Sequence, residues 1–429
     1  MFNRVFLRIK NSIWLMPALL SLTAFLLAVA VVWLDIYYLE EASSVFPSIF
    51  LVSVDLAQTI LGTIAGSLLT MTTITFSIIM VVLTTYSSQF SPRTLQNFIK
   101  DHVTMRVLGI FIGGFVYSIF SLLFMRERSV DNHVGAASVG VLIAFICVAI
   151  FAYFIHHVAS SVQVSMLIER LAKDSLETIN KRADHIKENE HISLLHVPPV
   201  PPINLSKNTN IRSEQFGYIQ LINEKKLFQK ANEQECYIEI SKKIGDFTLE
   251  SKPVMTVFYG DQSEAKLDGQ DLTIGKERTT MQDTEFGLQK ITEVALRAVS
   301  PGINDPNTAI QCIRHLGLCL RAASEIDGSY LVYYDKLDRP AVSIPQRPFE
   351  DLLRSSFYQI AHYGKNDISV ITAIFDALYD IAEDHSVSIK EKTVKFSDYL
   401  VEKIDPGSFT KLDKEIIKNK KSRLDELLE

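Results

Sequence analysis

Four stretches of the chain run without a charged side chain for long enough to cross a bilayer, where about 20 consecutive apolar residues are needed. They are Ile13 to Leu34, Leu56 to Pro92, Val107 to Met125, and about Gly135 to Ile168. A backbone polar group left unpaired in hydrocarbon is too costly, so each run is expected to be helical. The first is flanked by Trp14, Trp33, Tyr37 and Tyr38, the aromatic residues favoured at membrane interfaces, with Pro17 in an early turn. Its apolar part is too long for a cleaved signal peptide, and Leu26 to Val32 leads into Trp33 and Asp35 rather than a small-residue cleavage site.

The second run has a distinct pattern. As a helix it would rise about 55 Å, beyond a hydrocarbon core of about 30 Å, so part of it must tilt, bend or project. Thr59, Thr63, Gly66, Thr70, Thr73, Ser77, Thr84 and Ser88 recur at steps of four and three, with Val81 at the one interruption. One face is therefore small and hydroxylated, while Leu61, Leu68, Ile79 and Val82 lie off it. Such a face allows helices to pack closely and hydrogen-bond, and the same chemistry suits an uncharged solute path. Both readings stay open, because Ser and Thr in helices also bond their own i−4 carbonyls.

Beyond the fourth run the pattern changes. Val158, Val162, Ser165, Leu171, Ala172, Leu176 and Ile179 continue an apolar or small stripe, opposite Glu169, Lys173, Glu177 and Lys181, which predicts an amphipathic helix leaving the membrane. HVPPVPPINLSKN, His196 to Asn208, reads as an extended crossing. FGYIQLI, CYIEI and TLESKPVMTVFYG then read as strands around a short helix capped at Asn223. That module resembles the compact barrel of biotinyl and lipoyl carrier domains and membrane-fusion adaptors. It lacks their exposed Met-Lys-Met hairpin, so no covalent cofactor is expected. YLVYYDKLDRPAVS suggests a hairpin, followed by helices over Phe349 to His362 and Ile368 to Ala382.

These elements predict a polytopic α-helical membrane domain with four spans, plus a cytoplasmic α+β region containing a small β-rich, barrel-like module and a helical body. The expected boundaries are a transmembrane domain over 1–160, a helical connector over 161–195 and a Pro-rich linker over 196–208. A β-rich module over 209–265, a mainly helical domain over 266–410, and a charged C-terminal helix or tail over 411–429 complete it.

Charge sets the orientation and excludes one class of partner. With the N-terminus inside, Arg4, Arg8, Lys10, Arg93, Lys100, Arg106, Arg170 and Lys173 all stay inside, and only Arg126 and Arg128 lie outside. That bias predicts a multi-pass membrane protein with a cytoplasmic N-terminus and a cytoplasmic C-terminal domain. The chain carries −6 overall, with +1 through Ser160 and −7 after it, and the absence of basic runs argues against nucleic acid. Cys147, Cys236, Cys312 and Cys319 have no metal-ligand spacing. The neighbouring pairs His156/His157 and Asp384/His385 are poor ligand sets. No metal site, cofactor or catalytic set is therefore expected, and there is no Walker loop, kinase signature, HExxH or nucleophile elbow.

The most ordered soluble signal runs from Asp268 to Gly317. Thr280 and Asp283 start a helix whose apolar face includes Phe286, Ile291, Val294, Ala295 and Ala298; SPG ends it; Asp305 and Pro306 are preferred N-cap and N1 types for the next helix. The order SSQFSPR, IGKERTTMQD, FGLQKITEVALRAVSPGINDP resembles the bacterial membrane-protein family catalogued as domain of unknown function 2254, over nearly the whole chain. The resemblance implies an integral inner-membrane protein with a soluble C-terminal region and brings no biochemical activity. Its matching residues are Arg278, Thr279, Gln282, Asp283, Phe286, Gly287, Leu296, Arg297, Ala298 and Ser300 to Pro306.

Among these, Arg278, Asp283, Arg297, Asn304 and Asp305 are candidates for an anion-binding polar pocket, although helix caps at Asp283 and Asp305 and ion pairs of the two arginines are the simpler reading. The functional expectation is an oligomeric channel or passive solute conduit, lined by the hydroxylated face and controlled by the cytoplasmic region. Its partners would be lipid, further copies of the chain, and an ion or small solute. The alternative is a noncatalytic scaffold or adaptor with a protein partner, and a lipid-directed enzyme stands third.

Overall fold

A computed structural model describes residues 14–37, 51–89, 102–125, 133–161, 163–261, 267, 269–404 and 407–428. Most of the basic residues that set the expected orientation, and the Phe90 to Arg93 part of SSQFSPR, lie outside these. The chain divides into two compact units, Met1–Gln163 and Val164–Glu429.

The first unit holds four helices long and apolar enough to cross a membrane: α1 (Leu15–Tyr37), α2 (Val54–Gln89), α3 (His102–Phe124) and α4 (Ala136–Ser161). The third is the centre of the bundle. Half of its most apolar stretch is buried, against 17% for α1 and α4. Glycines make that burial possible. A Cβ built at Gly109 of α3 would lie 2.8 Å from Leu20 Cδ1, and one at Gly114 would lie 2.8 Å from Leu68 Cδ1. On α4, a Cβ at Gly140 would meet Leu61 Cδ2 at 2.6 Å. Leu61 and Leu68 are accordingly buried, on the face of α2 that Ala57, Ala65, Ile79 and Val82 continue.

One end of this bundle is tied by polar contacts. Strands β1 (Val52–Ser53) and β2 (His133–Val134) pair antiparallel. Beside them, the Asp35 carboxylate near the end of α1 accepts from the Gly135 N–H at 3.1 Å and the Ala136 N–H at 2.9 Å. The first turn of α4 therefore receives from α1 the acceptor that a helix start needs. Tyr117 of α3 donates to the Ala136 carbonyl at 2.9 Å, bringing a third helix to the same place.

The second unit begins with α5 (Val164–Lys187), whose buried stripe runs through Leu167, Leu171, Ser175 and Ile179 as its periodicity dictates. Strands follow as β3 (Ile192–Leu195), β4 (Lys207–Arg212) and β5 (Gly217–Ile222). After α6 (Glu224–Glu233) come β6 (Tyr237–Ile240), β7 (Phe247–Thr248), β8 (Pro253–Tyr259) and β9 (Leu272–Gly275). The helices α7 (Thr284–Ala298) and α8 (Pro306–Ala323) lead to a hairpin of β10 (Tyr330–Tyr334) and β11 (Pro340–Pro345). Four more helices complete it: α9 (Phe349–Tyr363), α10 (Ile368–Ala382), α11 (Val387–Lys403) and α12 (Lys411–Asp425).

The expected barrel does not form. The strands make an open six-stranded sheet in the order β3-β10-β11-β6-β8-β4 and a separate three-stranded sheet, β7-β5-β9. Closure would require the edges β3 and β4 to pair, and each instead ends its sheet. β4 is almost wholly exposed along its length, with a polar sequence, KNTNIR, that suits an edge. Three of the six strands come from outside 209–265. β3 follows the amphipathic helix, and the β10–β11 hairpin arrives after α8 to place β11 parallel to β6. A parallel pairing needs a long crossover, here supplied by the helices between β6 and β11. Ile238, Ile240, Met255, Val257, Leu331, Val342 and Ile344 fill one core beneath this sheet.

The amphipathic helix α5 joins that sheet through a buried ion pair. Arg182 Nη1 lies 2.5 Å from Glu224 Oε1, and Tyr333 Oη donates to Glu224 Oε2 at 2.7 Å. His185 Nε2 is 2.9 Å from the same Tyr333 hydroxyl. Burial and the adjacent Glu224 carboxylate push the Tyr333 phenol upward, so it remains a donor.

Candidate functional site

The hydroxylated face of α2 is external to its own bundle. Thr59, Thr63, Gly66, Thr70, Thr73, Ser77 and Thr84 are all exposed, opposite the buried Leu61 and Leu68; Ser88 is on the same helix with its side chain outside the described residues. Each described hydroxyl is bonded to the helix itself. Thr63 Oγ1 donates to the Thr59 carbonyl at 2.8 Å, Thr73 to Leu69 at 3.0 Å, Ser77 to Thr73 at 3.0 Å and Thr84 to Met80 at 2.8 Å. The hydroxyls thus spend their protons internally and present oxygen lone pairs outward.

Gly62 joins this face, giving the spacing Gly62-Thr-Ile-Ala-Gly66. A Cβ built at either glycine has nothing within 4 Å. These glycines differ from Gly114 and Gly140, whose missing side chains are filled by neighbours inside the bundle. Alongside, Thr59, Thr63 and Ile64 of α2 and Val141, Phe145 and Val148 of α4 border an apolar groove of about 400 Å³.

In the second unit the five polar candidates do not form one pocket. Arg278 and Asp283 lie at the start of α7, whereas Arg297, Asn304 and Asp305 lie at its far end. A 15-residue helix separates the two groups, a rise of about 20 Å. At the far end, Asp305 caps α8, accepting from the Thr308 N–H at 3.1 Å and the Thr308 hydroxyl at 2.6 Å. Asn304 takes a left-handed backbone (φ 50°) that lets its N–H reach the Ser300 carbonyl at 2.9 Å. Arg297 is exposed and engaged in a contact of its own. This end has the geometry of a helix-to-helix turn.

The near end is a charge network. Arg278 grips Asp283 through two bonds, Nε to Oδ2 and Nη2 to Oδ1, both 2.7 Å. Asp283 Oδ1 also accepts the Phe286 N–H at 3.0 Å as the cap of α7. Glu285 Oε2 lies 3.0 Å from Arg278 Nη2 and 3.2 Å from Arg347 Nε, and Arg347 Nη2 reaches Asp246 Oδ1 at 2.7 Å. Burial opposes the Arg278 charge, but the Asp283 and Glu285 carboxylates outweigh it and hold its pKa above the ordinary value. Gly245, with φ 83°, is required here: a Cβ would lie 2.3 Å from Asp283 Oδ2.

Arg347, Glu285 and Asp246 were not singled out by sequence. They come from α7 and two separate loops, and nothing in their spacing marks them. Among the described residues no group of three or more His, Cys, Asp or Glu side chains is arranged to hold a metal ion.

A family model described as "Predicted membrane protein (DUF2254)" matches residues 10–380. The uncharacterized proteins Mb1321c of Mycobacterium bovis and Rv1290c of Mycobacterium tuberculosis are each 26% identical over 340 residues, covering 76% of this chain and 64% of theirs. The chain thus spans less than two thirds of the length of these curated relatives. No solved structure matches it significantly.

Proposed function

From a chain that belongs to the DUF2254 family of predicted membrane proteins, a multi-pass inner-membrane protein with a cytoplasmic domain, we propose an oligomeric, passive conduit for an ion or small solute. Copies associate through the outward face of α2, and the conduit lies between copies rather than within one bundle. The observation that carries this reading is the uncovered Thr59 to Thr84 face, with Gly62 and Gly66 open to close approach. Facing lipid alone, such a face gains nothing from its small residues. Against a second helix it permits backbone contact, and its outward lone pairs line a path suited to uncharged or weakly coordinated solutes. The N-terminus and the second unit lie on the cytoplasmic side, and the second unit regulates opening.

The test joins proximity to flux. Thr73→Cys in the full-length chain, oxidised in membranes, should form a disulfide between copies, and the wild-type protein in liposomes should pass a small solute. Tight vesicles with no flux, together with no crosslink at Thr73 or Thr70, would remove this reading.

A second reading, a noncatalytic scaffold, is favoured by the small sheet β7-β5-β9. Tyr218 and Phe247 pair across strands with ring centroids 5.1 Å apart, and Phe216 (61% exposed) and Leu249 (54%) extend the same apolar surface. A defined protein crosslinked to this surface in intact membranes would support it. Recovery of self contacts alone would count against it.

A further inference from the structure

Between α7 and α9 lies an open groove of about 470 Å³, within the range of small-ligand sites. The Arg278–Glu285–Arg347 network forms its inner end, and Arg354, Tyr358 and Gln359 of α9 form its outer wall. The charges along it are unevenly satisfied. Glu285 is shared by Arg278 and Arg347, Asp351 lies 4.0 Å from Lys243, and Glu293 is already engaged. Arg354 has no carboxylate partner among the described residues; its guanidinium carbon lies 5.9 Å from the Tyr358 ring centroid.

A second cation stands at the same ring. Lys403 Nζ of α11 lies 4.0 Å from the Tyr358 centroid and bonds the Tyr399 hydroxyl at 2.5 Å, again with no carboxylate partner among the described residues. Arg347 is only partly satisfied: its buried Nε faces Glu285 at 3.2 Å and its Nη2 bonds Asp246, which leaves Nη1 with no bond among the described residues. Guanidinium forks match phosphate oxygens and bind them with charge-assisted hydrogen bonds.

We propose that this groove binds a small phosphomonoester that also carries hydroxyl donors, a sugar phosphate or a nucleoside monophosphate. The phosphate sits between Arg354 and the Nη1 of Arg347. The ligand's hydroxyls face Gln359 and the half-exposed Asp351, which would repel a bare anion and favour a phosphate attached to a donor-bearing body. The proposal rests on, and deepens, the regulatory half of the conduit reading, by giving the second unit a ligand class. Binding is measured without flux, so the two stand or fall separately.

The experiment is calorimetric titration of the full-length protein in nanodiscs with inorganic phosphate, ribose 5-phosphate, adenosine monophosphate and adenosine. Both phosphomonoesters should bind more tightly than inorganic phosphate, and adenosine should not bind. A preference between the two identifies the ligand's body as sugar or nucleoside. Arg354→Ala, an exposed substitution outside any ion pair, should weaken phosphomonoester binding by about 10-fold or more, the loss of one charge-assisted pair. Gln359→Ala should weaken the phosphomonoesters and leave inorganic phosphate unchanged. Absence of binding by every phosphate-bearing probe would overturn the proposal, as would unchanged affinity in a folded Arg354→Ala protein.

Discussion

Arg278 and Asp283, five residues apart, meet through two 2.7 Å bonds, and the same Asp283 oxygen that faces Arg278 Nη2 also caps α7. One carboxylate therefore fixes the entry of α7 and neutralises a half-buried guanidinium. Asp283→Ala removes both functions and strands Arg278 beside Glu285 alone. The expected cost is about 3–5 kcal/mol, since breaking a buried pair leaves an uncompensated charge. Asp305→Ala removes only a cap and should cost about 1 kcal/mol. Chemical denaturation of the second unit's signal in the full-length protein compares the two, and equal losses would refute the distinction.

Asp35 joins α1 to the start of α4 through two backbone N–H groups. Asp35→Ala should destabilise the four-helix unit by about 1–2 kcal/mol, in the range of lost caps and helix-terminus charges. Unfolding in mixed micelles measures this directly. A variant as stable as the parent would mean that water replaces the carboxylate at no cost.

Glycines inside and outside the bundle should respond oppositely to bulk. Gly140→Leu drives a side chain into Leu61 and should cost about 1–3 kcal/mol in stability of the four-helix unit. Gly66→Leu meets nothing in the protomer, so stability should hold while the assembly dissociates on a sizing column. If Gly66→Leu leaves the assembly intact, the outward face of α2 is not where copies meet.

Thr73→Val keeps the shape of the side chain and removes the oxygen that bonds Leu69. Membrane hydrogen bonds average about 0.6 kcal/mol in measured cycles, so assembly should survive. In the conduit reading, flux or selectivity then changes. Identical flux with assembly verified would exclude a path at this turn.

Three thiols of the second unit are buried. Burial pushes Cys236 up to about 11 and Cys319 up to about 12, and burial together with the Asp305 charge pushes Cys312 up as well, from an ordinary 9.0. Groups raised in the folded state favour it fully below the unfolded value. Their contribution is lost as pH rises from 9.0 through the folded values, because the unfolded chain releases those protons first. Stability should therefore decline above pH 9, and at pH 8 a maleimide should label these three cysteines only after unfolding. Rapid labelling of the native protein would show that this core opens.

The membrane unit was legible because each span is a charge-free run bounded by polar residues, and lipid leaves such a run no structure but a helix. The hydroxylated face was legible as a period, but not its direction. That depends on which face of α2 finds Gly114 and Gly140, a tertiary fact. The sheet was misread because β3 has only four residues and β10–β11 lies more than 80 residues after β6, so local pattern suggested a small closed module where long-range pairing builds an open sheet. Asp305 caps α8 as its residue type indicates, whereas the capping pattern expected from Thr280 with Asp283 reduces to Asp283 alone, because α7 begins only at Thr284. Their shared pocket was not real, because proximity in a motif rich in polar residues says nothing about the 15-residue helix between them. The groove with Arg347 and Arg354 had no spacing to announce it.

The length of α2 has a mechanical consequence. Its 36 residues rise about 54 Å, and a tilt within the usual 0–40° range cannot fit them into about 30 Å of hydrocarbon. From Leu56 to Gln89 the helix has no side chain that is charged at neutral pH. Shifting it several Å along its axis therefore drags no charge into the hydrocarbon, so bilayers of different thickness impose little electrostatic penalty on its depth. Asp55 is the one charged stop on α2, at a single end, and the vertical position of the hydroxylated face is free to follow the membrane rather than fixed by the helix's own composition.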